Sequence, residues 1–408
     1  MCKMYPPSGK NKTQEYGDMQ CYEEINFNYG EAIRRFASDL HQNPELSFQE
    51  SHTTQKLKAE LSALGIEMPA SGLDTGVIGI LRGGDGPVIA LRADIDAIRQ
   101  TEQFPRPDAS AVPGVMHGCG HDVHTAGLLG AAMYLSAHRE LLKGDVVFVF
   151  QPAEEVLGGA KELLAHGLWD AVEPAALFGL HNLPDLPVGT VGVKSGVVMS
   201  YKDGFMIRYI GRSGHTSTPQ NNIDPTVAIA SLVLSLQTVV SRNVGPLEQT
   251  VLTVCSISAG KPYTTTVDDA VITGNIRTLS AEVRQRVLQH VRRIAENTAA
   301  AYGCRIELDI HEITPGVENA EALLPIAAAA AAETVGIENV CSPSVNMASE
   351  DFSILGRSLP YFFYFLGSGV PGEAPIPWHN ACFHTDPQTP VYGAALLAQS
   401  VIKAQRML

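Results

Sequence analysis

The chain has 408 residues, 45% of them hydrophobic and 18% charged, enough to bury a large core and to divide into about two or three domains, which sets disorder aside. A net charge of −14, with 13 histidines counted as neutral, argues against a sequence-independent grip on nucleic acid, which needs clustered lysine and arginine, and favours a small-molecule partner. No apolar run approaches the roughly 20 residues that span a bilayer, and the start MCKMYPPSGKNKTQEYGDMQ has no apolar leader segment, so the expectation is a cytoplasmic chain without a membrane partner.

Residues 1–28 read as a polar N-terminal extension. From Tyr29 to Leu64 two helical stretches are expected, broken at Asn43-Pro44, where HQNPELSF supplies turn chemistry. The period then changes. GVIGIL, VIALRAD, DVVFVFQ and AALFGLH are short, β-branched and apolar, and an Ala, Gly and Leu-rich helix begins between them near His124. Short apolar strands alternating with helices imply a mostly parallel sheet covered on both faces, hence an α/β domain.

From about Met199 the order becomes strand (DGFMIRYIG), long helix, two strands (TVLTVCSIS and AVITGNIRTL), second helix and last strand (RIELDIHEI). That is the split βαβ order of a small α+β domain. Past Pro315 an Ala-rich helix, the strand YFFYFLG and a closing helix return to the first texture. The expected boundaries are therefore 29–198 with 315–408 for one domain and 199–314 for an insertion. The seven cysteines, Cys2, Cys21, Cys119, Cys255, Cys304, Cys341 and Cys382, are odd in number and form no CxxC pair, so no disulfide framework is expected.

In MHGCGHDVH the residues His117, Cys119, His121, Asp122 and His124 crowd a two-glycine loop just before a helix. Cysteine and histidine supply soft and borderline metal ligands, and glycine lets the backbone fold tightly around an ion. The alternative is a polar loop that merely caps the following helix. Downstream, an apolar strand runs through Gln151-Pro152 into the adjacent carboxylates Glu154 and Glu155. Adjacent carboxylates repel, and they make most sense where a cation neutralises one while the other moves protons. An ordinary EE pair is a solvated turn, but this one ends a buried strand, where open α/β sheets place their sites. His181 ends another strand and His379 follows Trp378 in a Pro-rich loop. Asp94 and Asp96 in RADIDA share one face of a strand end, placed either to orient ligands or simply to cap the strand. No G-x-S-x-G elbow is present, which disfavours a serine hydrolase.

In chain order, HQNPELSFQE, RADIDA, MHGCGHDVH, FQPAEE, GLHN, GRSGHTSTPQNNIDPTVAIA, SRNV, GNIRTL, ASEDFS and WHNACFHTD resemble the M20 metallopeptidase family, specifically its branch of aminoacylases, hippurate hydrolases and indole-acetyl-amino-acid hydrolases. The resemblance implies a phosphorylase/hydrolase-like catalytic domain, its mixed central sheet flanked by helices, with an inserted ferredoxin-like lid that also dimerises. It implies two divalent metals, Zn2+ or Mn2+ with Co2+ or Ni2+ as alternatives, held by Cys119, His121, Glu155, His181 and His379. Glu154 is then the general base, His215 of the GRSGH segment steadies the oxyanion, and Asn275 with Arg277 are candidates for the product's carboxylate. For Arg277 a surface ion pair is the competing reading. Asp94 and Asp122 are expected behind the ligands.

The implied reaction is hydrolysis of an N-acyl amino acid by a homodimer or homotetramer, with a metallo-dipeptidase or carboxypeptidase of the same fold as the alternative. The chain departs from the family pattern at Ile98-Arg99-Gln100, at KPYTTTVDD and at His384, all of which bear on the substrate more than on the metals.

Overall fold

A computed structural model describes residues 3–4, 20–260 and 263–408. Most of the polar extension and two residues of KPYTTTVDD, Lys261 and Pro262, lie outside the described residues. The described part of residues 1–28 corrects the expectation of a purely polar arm, because Gln20–Asn28 is a helix whose Cys21 and Ile25 are buried in the main core. The chain forms two compact units: residues 1–196, 318–344 and 351–408 in the first, and 197–317 with 345–350 in the second.

The first unit is built on a seven-stranded sheet. Its order runs from Lys3–Met4 at one edge through Val340–Ser342, Val191–Gly192, Tyr361–Gly369, Ala176–Pro187 and Val77–Asp94 to Gly144–Gln151. GVIGIL and VIALRAD, expected as separate strands, form one continuous segment that doubles back. Its register on Gly144–Gln151 descends from Val77↔Phe150 to Leu81↔Val146 and then ascends from Ile89↔Val146 to Asp94↔Gln151. One stretch therefore runs against that strand and the other along it, so the sheet is mixed rather than mostly parallel.

Alternation along a strand sends neighbouring residues to opposite faces, and both faces are covered. Gly179 approaches Phe352 of the short helix Phe352–Leu355, while Leu180 approaches Gly393 of the C-terminal helix Thr389–Met407. The C-terminal helix also packs on His121–Ala137, a helix apolar nearly all round and buried as such a helix must be. Their close approach depends on Gly130, where a Cβ would meet Ile33 at 2.5 Å and Ala394 at 2.8 Å.

The second unit is a four-stranded antiparallel sheet ordered Arg305–Thr314, Tyr201–Ile210, Asp269–Thr278, Thr250–Ser258, with the helices Pro225–Asn243 and Ala281–Ala301 packed on it. Pro225–Asn243 corrects the reading that no run is long and apolar enough to cross a membrane: the helix has 19 residues and an 18-residue window of it reaches a mean hydropathy of 1.3, which meets that test by length and composition. Here its Ala228, Ile229, Leu232, Leu236 and Val239 join the unit's own core, and Thr226, Gln237 and Arg242 lie on exposed positions. Asp224 caps its first turn, accepting from the Thr226 amide at 2.9 Å.

Candidate metal centre

The site gathers where strands of the first unit end. Val77–Asp94 stops at Asp94 and the chain continues to Asp96; Gly144–Gln151 runs into Pro152, then Ala153, Glu154 and Glu155. Ala153 takes a left-handed φ of 52°, costly for a residue with a Cβ, and Glu50 holds it there by accepting the Ala153 amide at 2.8 Å. Asp96 then pins both carboxylate residues by their backbones: Oδ1 accepts the Glu154 amide at 3.1 Å and Oδ2 the Glu155 amide at 3.0 Å. Glu154 is 6% exposed.

Cys119 and His121 arrive on the glycine loop. Gly120 has φ 87° and abuts Asn182 so closely that a Cβ would sit 2.4 Å from its Nδ2. That amide donates to the Cys119 carbonyl at 2.6 Å, and Gly118 receives the His379 amide at 2.8 Å. The loop is thereby tied to the strand bearing His181 and to the segment bearing His379, itself at a left-handed φ of 62°.

Two triads of ligand atoms share Cys119, with His121 and His181 on one side and Glu155 and His379 on the other, the atoms of each within 4.8 Å of one another; His121, Glu154 and Glu155 form a third such group, Asp94, His121 and His124 a fourth, and Glu154, Glu350 and Asp351 a fifth. Cys119 belongs to the first two. Its Sγ lies 3.4 Å from His181 Nε2, and His379 Nε2 lies 3.2 Å from Glu155 Oε1. Donors about 2.0–2.3 Å from a tetrahedral ion are separated by roughly 3.3–3.8 Å, which the first spacing meets and the second approaches.

Hydrogen bonding sorts the histidines. His121 Nδ1 donates to the Asp96 carbonyl at 2.9 Å and His181 Nδ1 to the Asn182 carbonyl at 2.8 Å, leaving Nε2 of each as the ligating nitrogen. His121 Nε2 is buried without a hydrogen-bond partner, and the buried Glu155 Oε1 has only its contact with His379, as expected of atoms meant for a cation. His124 is different. Its Nδ1 meets Asp94 Oδ1 at 2.7 Å and its Nε2 accepts the Asn182 amide at 2.9 Å, so it is a satisfied structural residue. His117 joins no ligand group among the described residues.

The electrostatics suit a bound cation. Burial, then the neighbouring Glu155, push the Cys119 thiol up. Burial disfavours charge on His121, yet Asp94 and Asp96 hold its imidazole well above the usual range. Bonding to Cys119 and Glu155 lifts His379 to about 10 despite partial burial. A thiol and two carboxylates crowded on protonated imidazoles is the arrangement that divalent ions would replace.

Asp94 stands 3.5 Å from His121 Nε2 and takes Arg92 at 3.0 Å, whereas Asp96 does the orienting on the far side of that ring. Asp122 was expected behind the ligands; its Oδ2 instead bonds His41 Nδ1 at 2.8 Å. His215, Asn275 and Arg277 belong to the second unit. Arg277 is in none of that unit's described ion pairs: its Nη1 donates to the Met347 carbonyl at 2.8 Å and to Ser349 Oγ at 3.0 Å. Asn275 Nδ2 donates to Cys255 Sγ at 3.3 Å. The roles of Glu50, Asn182 and Asp351 escaped the sequence reading, although HQNPELSFQE, GLHN and ASEDFS contain them.

A family model described as peptidase family M20/M25/M40 matches residues 90–403. An N-acetylcysteine deacetylase of Bacillus subtilis is 42% identical over 366 residues, which cover 89% of this chain and 94% of the relative. The IAA-amino acid hydrolase ILR1-like 4 of Arabidopsis thaliana is 35% identical, covering 91% and 84%. Among solved structures the YXEP protein of Bacillus subtilis, described as a dinuclear metal-binding peptidase of the M20 family, superposes with a TM-score of 0.83 at 37% identity, covering 94% of this chain and 100% of that one. With its paired donor triads and a family match running nearly from the first metal-side strand to the last helix, the chain belongs to peptidase family M20/M25/M40.

Proposed function

We propose that the chain hydrolyses the amide bond of N-acyl amino acids, releasing the free amino acid and a carboxylate. The observation that carries this reading is Glu154, a buried carboxylate outside the two triads that contain Cys119, grouped with His121 and Glu155 and with its backbone amide locked by Asp96 beside the ligand Glu155. When bound, two divalent cations held by Cys119, His121, His181, Glu155 and His379 polarise a carbonyl and acidify a water, with Zn2+ or Mn2+ as the expected ions and Co2+ or Ni2+ as alternatives. Glu154 receives the proton of the attacking water on its carboxylate and returns it to the departing amine nitrogen.

In the second unit, which we take to be a lid, the Ser217 amide donates to His215 Nδ1 at 3.1 Å. The neutral ring therefore carries its proton on Nε2, and His215 can donate to a developing oxyanion. Arg277, uncommitted to any carboxylate in its own unit, suits the carboxylate of the amino-acid half, with Asn275 beside it.

Deacetylation of N-acetylcysteine and hydrolysis of IAA-amino acids, named for the relatives above, both break a bond of the proposed kind. The test is metal-reconstituted turnover of N-acetyl and N-benzoyl amino acids beside a dipeptide panel. Cleavage of the acyl amino acids is expected. Exclusive cleavage of dipeptides would transfer the chain to the dipeptidase or carboxypeptidase alternative.

We further propose a homodimer or homotetramer formed through the second unit. Thr250–Ser258 is an edge strand with Val251 and Ile257 exposed, and Leu234 on the adjacent helix is 74% exposed. An edge with exposed apolar side chains of this kind is normally covered. Sedimentation should show a dimer or larger, reduced to monomer by Ile257→Lys with Leu234→Glu.

A further inference from the structure

The first unit holds a cavity of about 440 Å3 that none of the five ligand candidates lines, a size in the range of small-molecule sites. One wall is flat. The Phe104 ring stacks on the His384 ring with centroids 3.8 Å apart and planes 12° from parallel. His384 is fixed at both nitrogens, Nδ1 to the Cys382 carbonyl at 3.0 Å and Nε2 to Glu373 at 2.8 Å, so the stack is preorganised. Val123, Pro107 and Pro390 add apolar lining.

The charges around this space are unequally matched. Asp108 is clamped by Arg106, with contacts of 2.6 and 2.9 Å, and Asp122 by His41 at 2.8 Å. Glu373 is taken by His384, and Asp386 accepts the Gln388 amide at 2.8 Å. Arg34 and Asp386 are the exceptions, since a backbone amide is no counter-charge to Asp386. Arg34 Nη1 donates only to amide oxygens, Asn26 Oδ1 at 3.1 Å and Gln388 Oε1 at 3.2 Å, and Arg34 makes no ion pair among the described residues. A guanidinium bonded to neutral oxygens retains its full charge and spare N–H donors, and its natural complement is a carboxylate.

We propose that this cavity is a second small-molecule site, separate from the metal centre, that takes a planar aromatic monocarboxylate with its carboxylate on Arg34 and its ring against Phe104. Its lining includes Asp122 and Val123, in the first turn of the helix that His121 begins, so an occupant rests on the element presenting one candidate ligand of the metal centre, His121.

The test is titration of the metal-loaded protein with phenylacetate, followed by calorimetry and by saturation transfer to the ring protons. Wild type should bind saturably. Arg34→Leu and Phe104→Ala should each weaken binding by about ten-fold or more, a change equal to about 1.4 kcal/mol, and phenylacetamide should bind as weakly to wild type as phenylacetate does to Arg34→Leu. Glu154→Gln should leave the affinity unchanged. Circular dichroism of both cavity variants verifies folding. Wild-type affinity in both folded variants, with loss of binding on metal removal, would place the ligand at the metal centre instead and overturn the proposal; so would the absence of saturable binding.

Discussion

Glu154 and Glu155 are chemically identical neighbours, and their environments separate them. Glu155 Oε1 lies 3.2 Å from His379 and belongs to a donor triad with Cys119, whereas Glu154 belongs to neither Cys119 triad. Glu154→Gln keeps the shape and removes the proton acceptor. Turnover should fall by about 10²–10⁴-fold while metal content measured by elemental analysis stays at the wild-type level. His41 carries a second residue-scale expectation. Both its nitrogens face carboxylates, Asp122 at 2.8 Å and Glu102 at 3.0 Å, so the ring is held as an imidazolium. Burial opposes that charge, but Asp122 and Glu102 outweigh it and raise the imidazole to about 9. A pKa raised on folding stabilises fully below the unfolded value near 6.5 and is lost as pH climbs toward 9. Urea melts of wild type and His41→Gln should therefore differ most near pH 6 and converge by pH 9 to 9.5; a pH-independent difference would contradict the imidazolium.

At the scale of elements, the catalytic turn depends on connections that cross long stretches of sequence. Asp351 accepts Gln151 Nε2 at 2.6 Å, the Ala160 amide at 3.0 Å and Arg92 Nη2 at 3.3 Å. It joins the end of one strand, the start of the Gly159–Ala165 helix and the fully buried Arg92 of a second strand. Removing one member of a buried charge network leaves its partner uncompensated, which costs about 3–5 kcal/mol. Asp351→Ala should lose stability of that order in thermal melts, and activity should fall with it as the PAEE turn loosens. A loss within the ±0.5 kcal/mol typical of a surface substitution would show that Arg92 is satisfied without it. The doubled-back Val77–Asp94 segment belongs to the same scale. Its two apolar runs are indistinguishable in pattern, and only pairing with opposite sides of Gly144–Gln151 gives them opposite directions.

At the scale of the molecule, the chain makes two units with separate apolar cores, and all five ligand candidates sit in the first. Metals that bind the folded state alone stabilise it by about 4 kcal/mol at a thousand-fold excess over Kd. Chelation should thus abolish activity and, in calorimetry, lower the melting of the first unit while leaving the second unit's transition in place. Movement of both transitions together would mean that the two units unfold as one. By itself the sequence determined which donors exist and where they cluster, because ligation and proton transfer admit few residue types and MHGCGHDVH and PAEE are built from them. It also determined the two textures, since strand and helix periods are local. The tertiary structure alone decided which nitrogen of His121 is left for a metal, that His124 is satisfied at both nitrogens, that Asp122 serves His41, and that Arg34 lines a cavity while bonding only neutral oxygens. Those outcomes depend on partners tens to hundreds of residues away, and no local pattern of residues carries the identity of a neighbour that only folding brings within 3 Å.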